Sequence, residues 1–341
     1  MNISKRINFV WPIILVLILL FAGYILLSSG SKQSQKVQEV YRVGVLCGLD
    51  YIDAIPDIFI KEMTEMGYIE GRNIIYDIHR TNFEPVREKL ILGRFVQDKV
   101  DLIFTFPTEV SMAAKAATQG TDIPVIFCIA NIEGTGLVNS VREPGGNVTG
   151  VRYPGPDLAI KRFEVMCELV PEAKIMWVPY QRDYPIVAPQ MEVLHPAAAD
   201  RGITLIEFPA DDAAEVQAEL DRRIKLDDVG FDVILFIPEP LSCTDDAFEV
   251  IARFAYERKM PIGGITMQVG DYASLFGIDV DDPKTVKQAA VLADKILHGT
   301  PISKIPVVSS ESYFEINYRA AQKLGIEVPK GMLGRADEII R

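Results

Sequence analysis

Residues 101–129 read DLIFTFPTEVSMAAKAATQGTDIPVIFCI, and their pattern decides the fold. Asp101–Phe106 is a short apolar run suited to a strand buried on both faces. Ser111–Thr118 is rich in alanine, so a helix there can pack closely on a sheet. Ile123–Ile129 is a second apolar run. Strand, helix and strand at this spacing form a parallel βαβ unit.

The unit repeats outward. Upstream, Tyr41–Cys47 and Asn73–His79 read as strands, and Pro56–Met66 and Pro85–Asp98 as helices. Downstream, Asn147–Val151 is one more strand, followed by a joint at Gly150–Pro156 (GVRYPGP) where Gly and Pro cluster. The pattern then restarts. Strands are expected at Lys174–Pro179, Ile203–Phe208, Val233–Ile237 and Pro261–Gly264. Helices are expected at Ile186–Asp200, Ala213–Leu226 and Asp245–Arg258. The tail adds a strand at Ser274–Val280, a helix at Pro283–Leu297 and a strand–helix piece over Tyr313–Leu324. Two such runs predict an α/β chain with two helix-covered parallel sheets. A length of 341 residues suits two domains.

Charge narrows the function classes. Lys and Arg number 35 against 47 Asp and Glu, a net charge of −12. An acidic surface with no basic stripe argues against nucleic acid as a partner. Lys5 and Arg6 precede an uncharged run, Ile7–Gly30, with an apolar centre at Val10–Leu27. That run is short for a membrane span and long for a signal-peptide core. Residues 1–35 are therefore expected to be a membrane anchor or a cleaved signal with its tether. The leading charges put the body outside the cytoplasm, in the periplasm or at the cell surface.

Catalytic signatures are missing: no GxSxG, Walker A, HExxH or GxGxxG occurs. His79, His195 and His298 have no spaced partners, so neither a metal nor another cofactor is expected. Cys47, Cys128, Cys167 and Cys243 form no CxxC pair and read as small buried hydrophobes. Ligands of open parallel sheets sit beyond the carboxyl ends of the strands. That rule selects Gly48–Asp53, Phe106–Ser111, Ala130–Gly136, Tyr180–Pro185, Pro238–Thr244 and Ile265–Tyr272 as the walls of one cleft. Within and beside them, Asp50, Tyr51, Phe106, Thr108, Asn131, Tyr180, Tyr184, Glu239 and Asp279 are the residues expected to hold a ligand. The aromatic members offer stacking faces, and Thr108 offers a hydroxyl just before a helix.

Several stretches resemble the ABC-transporter substrate-binding family that includes tryptophan- and tyrosine-type binding proteins. They are GYIEGRN at Gly67–Asn73, Gly136-Leu137-Val138 with PGGNVTG at Pro144–Gly150, Gly277-Ile278-Asp279, and AAQKLGI at Ala320–Ile326. The resemblance implies a periplasmic-binding-protein fold of the first type: two flavodoxin-like, Rossmann-like lobes joined by a three-segment hinge. The crossovers would lie near Thr149–Tyr153, Gly277–Asp281 and Pro301–Val307. Residues 36–150 and 281–300 would form lobe one, and 151–280 and 301–341 lobe two. The implied function is an extracytoplasmic receptor that hands a small organic ligand, amino-acid-like or aromatic, to ABC permease subunits. The alternative is a membrane-anchored module that senses the ligand and signals to a partner. The family's small-residue–Thr turn is kept at Thr108, and its acidic residue at Asp279. Its Pro-Thr-Asp-Asn turn stands here as Pro238-Glu239-Pro240-Leu241, so the acid is either displaced to Glu239 or missing.

Overall fold

Apolar runs become strands in this chain where both faces can be covered. The computed structural model describes residues 40–48, 54–226 and 228–341. The expected anchor, Asp50 and Tyr51 lie outside the described residues. In chain order, β1 is Tyr41–Cys47, α1 Ala54–Glu65, β2 Ile74–Arg80, α2 Pro85–Gln97, β3 Leu102–Phe106, α3 Thr108–Ala117, β4 Val125–Ala130 and β5 Val148–Arg152. Next come α4 Gly155–Leu169, β6 Ile175–Gln181, α5 Val187–Asp200, β7 Thr204–Ala210, α6 Ala213–Ile224, β8 Val233–Leu235, α7 Asp245–Glu257 and β9 Ile262–Gly263. The remainder holds β10 Gln268–Val269, β11 Tyr272–Ala273, β12 Phe276–Val280, α8 Asp282–Leu297, β13 Val308–Ser309, β14 Ser312–Asn317, α9 Tyr318–Leu324, α10 Lys330–Leu333 and β15 Glu338–Ile340.

The first sheet has the order β13-β5-β4-β3-β1-β2 and is parallel throughout. Phe59 of α1 and Val286, Ala289 and Ala293 of α8 fill one face. Phe95 of α2 and Val110 and Ala114 of α3 fill the other. The second sheet, β7-β6-β8-β9, is also parallel. Phe163 and Met166 of α4 and Leu194 of α5 cover one face; Leu220 of α6 and Phe248 and Ile251 of α7 cover the other, around Trp177. A smaller sheet, β12-β14-β15, joins the second through a bridge between Gly264 and Gly277.

Three passes connect the two halves, and they lie side by side. β5 runs into α4, β12 into α8, and β13 into β14. The backbone N–H and the hydroxyl of Ser310 both donate to the Arg152 carbonyl, at 3.0 and 2.9 Å. The Asp281 N–H donates to the Glu311 carbonyl at 3.1 Å. The buried Thr149 hydroxyl donates to the Ile305 carbonyl at 2.9 Å.

The structure adds to the sequence reading at four places. Helix α3 opens at Thr108, not at Ser111. Helix α4 occupies the stretch that reads as a bare joint; Pro156 stands in its first turn, where a missing N–H is harmless. β13 returns to the first sheet beside Val151 and Arg152, so those residues, expected in lobe two, are strand-paired with lobe one's sheet. The hairpin β10–β11 and the edge strand β15 carry too few residues to announce themselves.

Gly277 is required by close approach. A Cβ there would lie 2.0 Å from the Thr266 hydroxyl oxygen and 2.3 Å from the Thr266 nitrogen. Gly277→Ala should therefore destabilise the protein by about 2–3 kcal/mol, as forced overpacking does. Thermal melting checks this, and a variant that melts with the parent contradicts the packing.

Candidate functional site

The carboxyl ends of β3, β4 and β5 form one wall. Phe106 ends β3 but is only 2% exposed, its ring inside the first sheet's core. It therefore does not line the cleft as an aromatic cover. Thr108 opens α3, and its hydroxyl oxygen accepts the backbone N–H of Asn131 at 3.0 Å. The hydroxyl proton stays available to donate. The Asn131 side-chain amide has no hydrogen bond among the described residues, and its oxygen lies beside Gly155. Glu133 pairs with Arg152, which also holds Asp157 at 3.0 Å.

The second wall comes from the loops after β6 and β8. Tyr184 reaches across it: its hydroxyl donates to Glu109 of α3 at 2.5 Å. Gly134 of the first wall meets Pro189 of α5, so the walls touch on this side. Tyr180 turns away along the second sheet and donates to Glu207 at 2.7 Å; burial and that carboxylate push its phenol pKa up. Glu239 is 4% exposed, and its carboxylate accepts the backbone N–H groups of Gln181, Leu241 and Ser242 at 2.8, 2.9 and 2.7 Å. Burial raises its pKa while those donors oppose the rise. Such a carboxylate staples its own loop rather than facing a ligand.

The passes make the floor. Asp279 is exposed, and its carboxylate accepts the N–H of Val280 at 2.8 Å. Around it stand Tyr153, Cys243 and Asp282. Cys243 is open to solvent, yet surrounding protein atoms, Asp279 and Glu239 push its thiol up to about 12. All four cysteines are free. Burial, with Asp279 and Asp281 adding repulsion, raises the Asp282 carboxyl to about 6.

Thus Thr108, Asn131 and Tyr184 gather at the start of α3, and Asp279 stands at the passes beside Tyr153, Cys243 and Asp282, whereas Phe106, Tyr180 and Glu239 are engaged by the core or by bonds within their own wall. Sequence reading missed Arg162 and Gln190, both fully buried. The Gln190 amide donates to the Ile186 carbonyl at 3.1 Å, and its oxygen has no partner among the described residues. A signal was present: Gln190 shares the buried stripe of Val187, Met191 and Leu194, and Arg162 that of Leu158, Ala159 and Met166. Polar residues inside an apolar stripe call for a reason. Two grooves of about 780 Å³ each lie elsewhere, one between Lys161, Glu168, Arg201 and Arg335 and one between Lys115, Asp122 and Pro301, and neither holds any of the expected residues. Convergent polar groups at strand ends, not volume, single out the interlobe site.

Two α/β lobes with three adjacent passes and polar groups facing across the gap define a hinged solute-binding protein of the type 1 periplasmic class. Over residues 42–340 the sequence matches the ABC transporter substrate binding protein family, and the chain belongs to it. The tyrosine-binding protein of Clostridioides difficile is 28% identical over 287 residues, covering 83% of this chain and 79% of that one. A conserved domain protein from Vibrio cholerae superposes with a TM-score of 0.74 at 26% identity, over 88% of this chain and 100% of that one. The ABC domain from Streptococcus pneumonia, solved in complex with L-Trp, shares the fold with a TM-score of 0.75 at 22% identity, over 89% of this chain and 100% of that one. The protein is thus the substrate-binding component of an ABC transporter, a family of extracytoplasmic proteins that deliver small molecules to permeases and are not enzymes. Among the described residues no helix is long and apolar enough to cross a membrane, and no group of His, Cys, Asp and Glu is arranged for a metal ion.

Asp282 gives the site a pH signature. Its folded pKa of about 6 lies above that of the unfolded chain, so the unfolded state loses its proton first as pH rises. The stability contribution is complete below about pH 4 and is lost as pH climbs through about 6. Asp282→Asn cannot titrate, so it should gain on the parent across that window. The gain expected at about pH 7.5 is about 1–2 kcal/mol, because the α8 N-terminus offsets part of the repulsion. Denaturant melts at both ends of the window check this; an equal gap at both contradicts it.

Proposed function

We propose that the substrate is an amino acid with an aromatic side chain, bound between Thr108 and Asn131 on one side and Asp279 on the other. The arrangement of these three residues carries the reading. A zwitterion needs hydrogen-bond donors for its carboxylate and an anion for its ammonium. The Thr108 hydroxyl, the Asn131 amide and the first N–H groups of α3 supply the donors, and Asp279 the anion. Tyr184 borders the space left for the ring. The binding partners named for the C. difficile and S. pneumonia proteins, tyrosine and L-Trp, support this chemistry.

Residues 36–150 with 281–300, and 151–280 with 301–341, act in this reading as two hinged bodies that close on the ligand, apart from the strand pairs at 151–152 and 308–309. Glu239 shapes the loop behind the site, and Phe106 and Tyr180 back the walls. Residues 1–35 hold the protein at the outer face of the membrane beside its permease.

Calorimetric titration with L-tyrosine and L-tryptophan tests the reading. One saturable site is expected, with Asp279→Asn weaker by about tenfold or more and unchanged in melting. Absence of saturable binding by the parent rejects the ligand class; a variant that binds like the parent moves the ammonium seat elsewhere.

A further inference from the structure

Arg162 stands in the apolar stripe of α4, between Ala159 and Met166, and is fully buried. Its acceptors among the described residues are all neutral. Nε donates to the carbonyls of Gly264 and Ile278, both at 2.8 Å. Nη2 donates to the same Ile278 carbonyl and to the Tyr153 hydroxyl, the latter at 2.6 Å. A cation taken out of water without an anion in contact is strongly unfavourable, and an apolar side chain of similar volume would fill the space with less penalty. Packing alone therefore does not account for an arginine here.

The acceptors indicate what the charge does. Gly264 follows β9 of the second sheet, Tyr153 follows β5 of the first, and Ile278 immediately precedes Asp279 in β12. The guanidinium thus pins the backbone that carries Asp279 to the second half of the molecule. It also orients Tyr153. A phenol oxygen that accepts from an arginine keeps its own proton to donate, and Tyr153 interacts with the Asp279 carboxylate. Bonds in such a chain polarise one another.

We propose that Arg162, acting through Tyr153, is the positioning residue of the ligand site: it directs the Asp279 carboxylate into the cleft and ties it to the second sheet. The inference rests on Asp279 receiving the ligand ammonium. Ligand release then depends on how Arg162 and Tyr153 hold one carboxylate, although neither residue touches the ligand.

The test compares L-tyrosine with its deaminated analogue, which keeps the ring and the carboxylate. Both are titrated into the full chain and into Tyr153→Phe, Asp279→Asn and the double variant. Tyr153→Phe keeps the ring in place, so it should fold, melting somewhat below the parent for the acceptor that Arg162 loses. Its affinity for tyrosine should fall about threefold to tenfold, while its affinity for the analogue holds. The double variant should bind tyrosine no more weakly than Asp279→Asn alone. Arg162→Lys keeps the charge without the fork and should behave as Tyr153→Phe; if it fails to fold, Tyr153→Phe decides. Equal losses for both ligands, or additive losses in the double variant, reduce Arg162 and Tyr153 to structural residues and overturn the inference. So does an unchanged Tyr153→Phe beside a weakened Asp279→Asn, which leaves the ligand reading intact. An Asp279→Asn that binds tyrosine like the parent, or a parent that does not bind it, overturns both.

Discussion

A buried guanidinium sits where the chain passes between its two sheets, and the site is built around it. Parallel strands all end on the same side of a sheet, so each half offers its loops at one edge only. For the two edges to face each other, the chain must cross at a fixed place. Arg162 bonds to Tyr153 and Ile278, from two of the three passes, and to Gly264 beyond β9. Thr149 and Ser310 tie in the third pass through the carbonyls of Ile305 and Arg152. These bonds are out of water, where a lost partner leaves an unsatisfied polar group. The passes consequently hold their mutual positions.

The same place concentrates negative charge. Glu109 is engaged by Tyr184 and Glu133 by Arg152, so those two carboxylates are satisfied within the protein. Asp279 accepts a neighbouring backbone N–H and stands beside the neutral Tyr153 phenol, and Asp282 is pushed up by burial and by Asp279 and Asp281. Crowded, partly desolvated carboxylates are relieved by a cation. In the proposed reading a ligand ammonium supplies this, and the relief disappears on release. The opposing wall presents donors instead, from Thr108 and Asn131. Donors on the first sheet and acceptors at the passes give the proposed zwitterion one orientation.

Much of this was legible in the sequence, for identifiable reasons. Apolar runs such as Leu102–Phe106 and Val125–Ala130 are buried on both faces, so composition alone marks them as strands. Thr108 is selected by the rule that ligands sit at carboxyl ends of strands, and Asp279 by the family's acidic residue kept there. The hidden part lies where local chemistry and tertiary context disagree. Gly155-Pro156 reads as a break but starts α4, because proline is harmless in a first turn; missing that helix hid Arg162. Glu239 looks like a free acid until the loop folds back and supplies backbone donors from Gln181, Leu241 and Ser242. Phe106 and Tyr180 stand at strand ends, but side chains alternate along a strand, and theirs fall on core faces.

The central claim is that one small zwitterion bridges the first sheet's donors and Asp279. A crystal structure of the full chain grown with L-tyrosine tests it most directly. The account predicts ligand density between the Thr108–Asn131 wall and the Asp279 carboxylate, with its amino group on Asp279. Density confined to the groove between Lys161, Glu168 and Arg201, or a ligand in the cleft with its amino group turned away from Asp279, would contradict it.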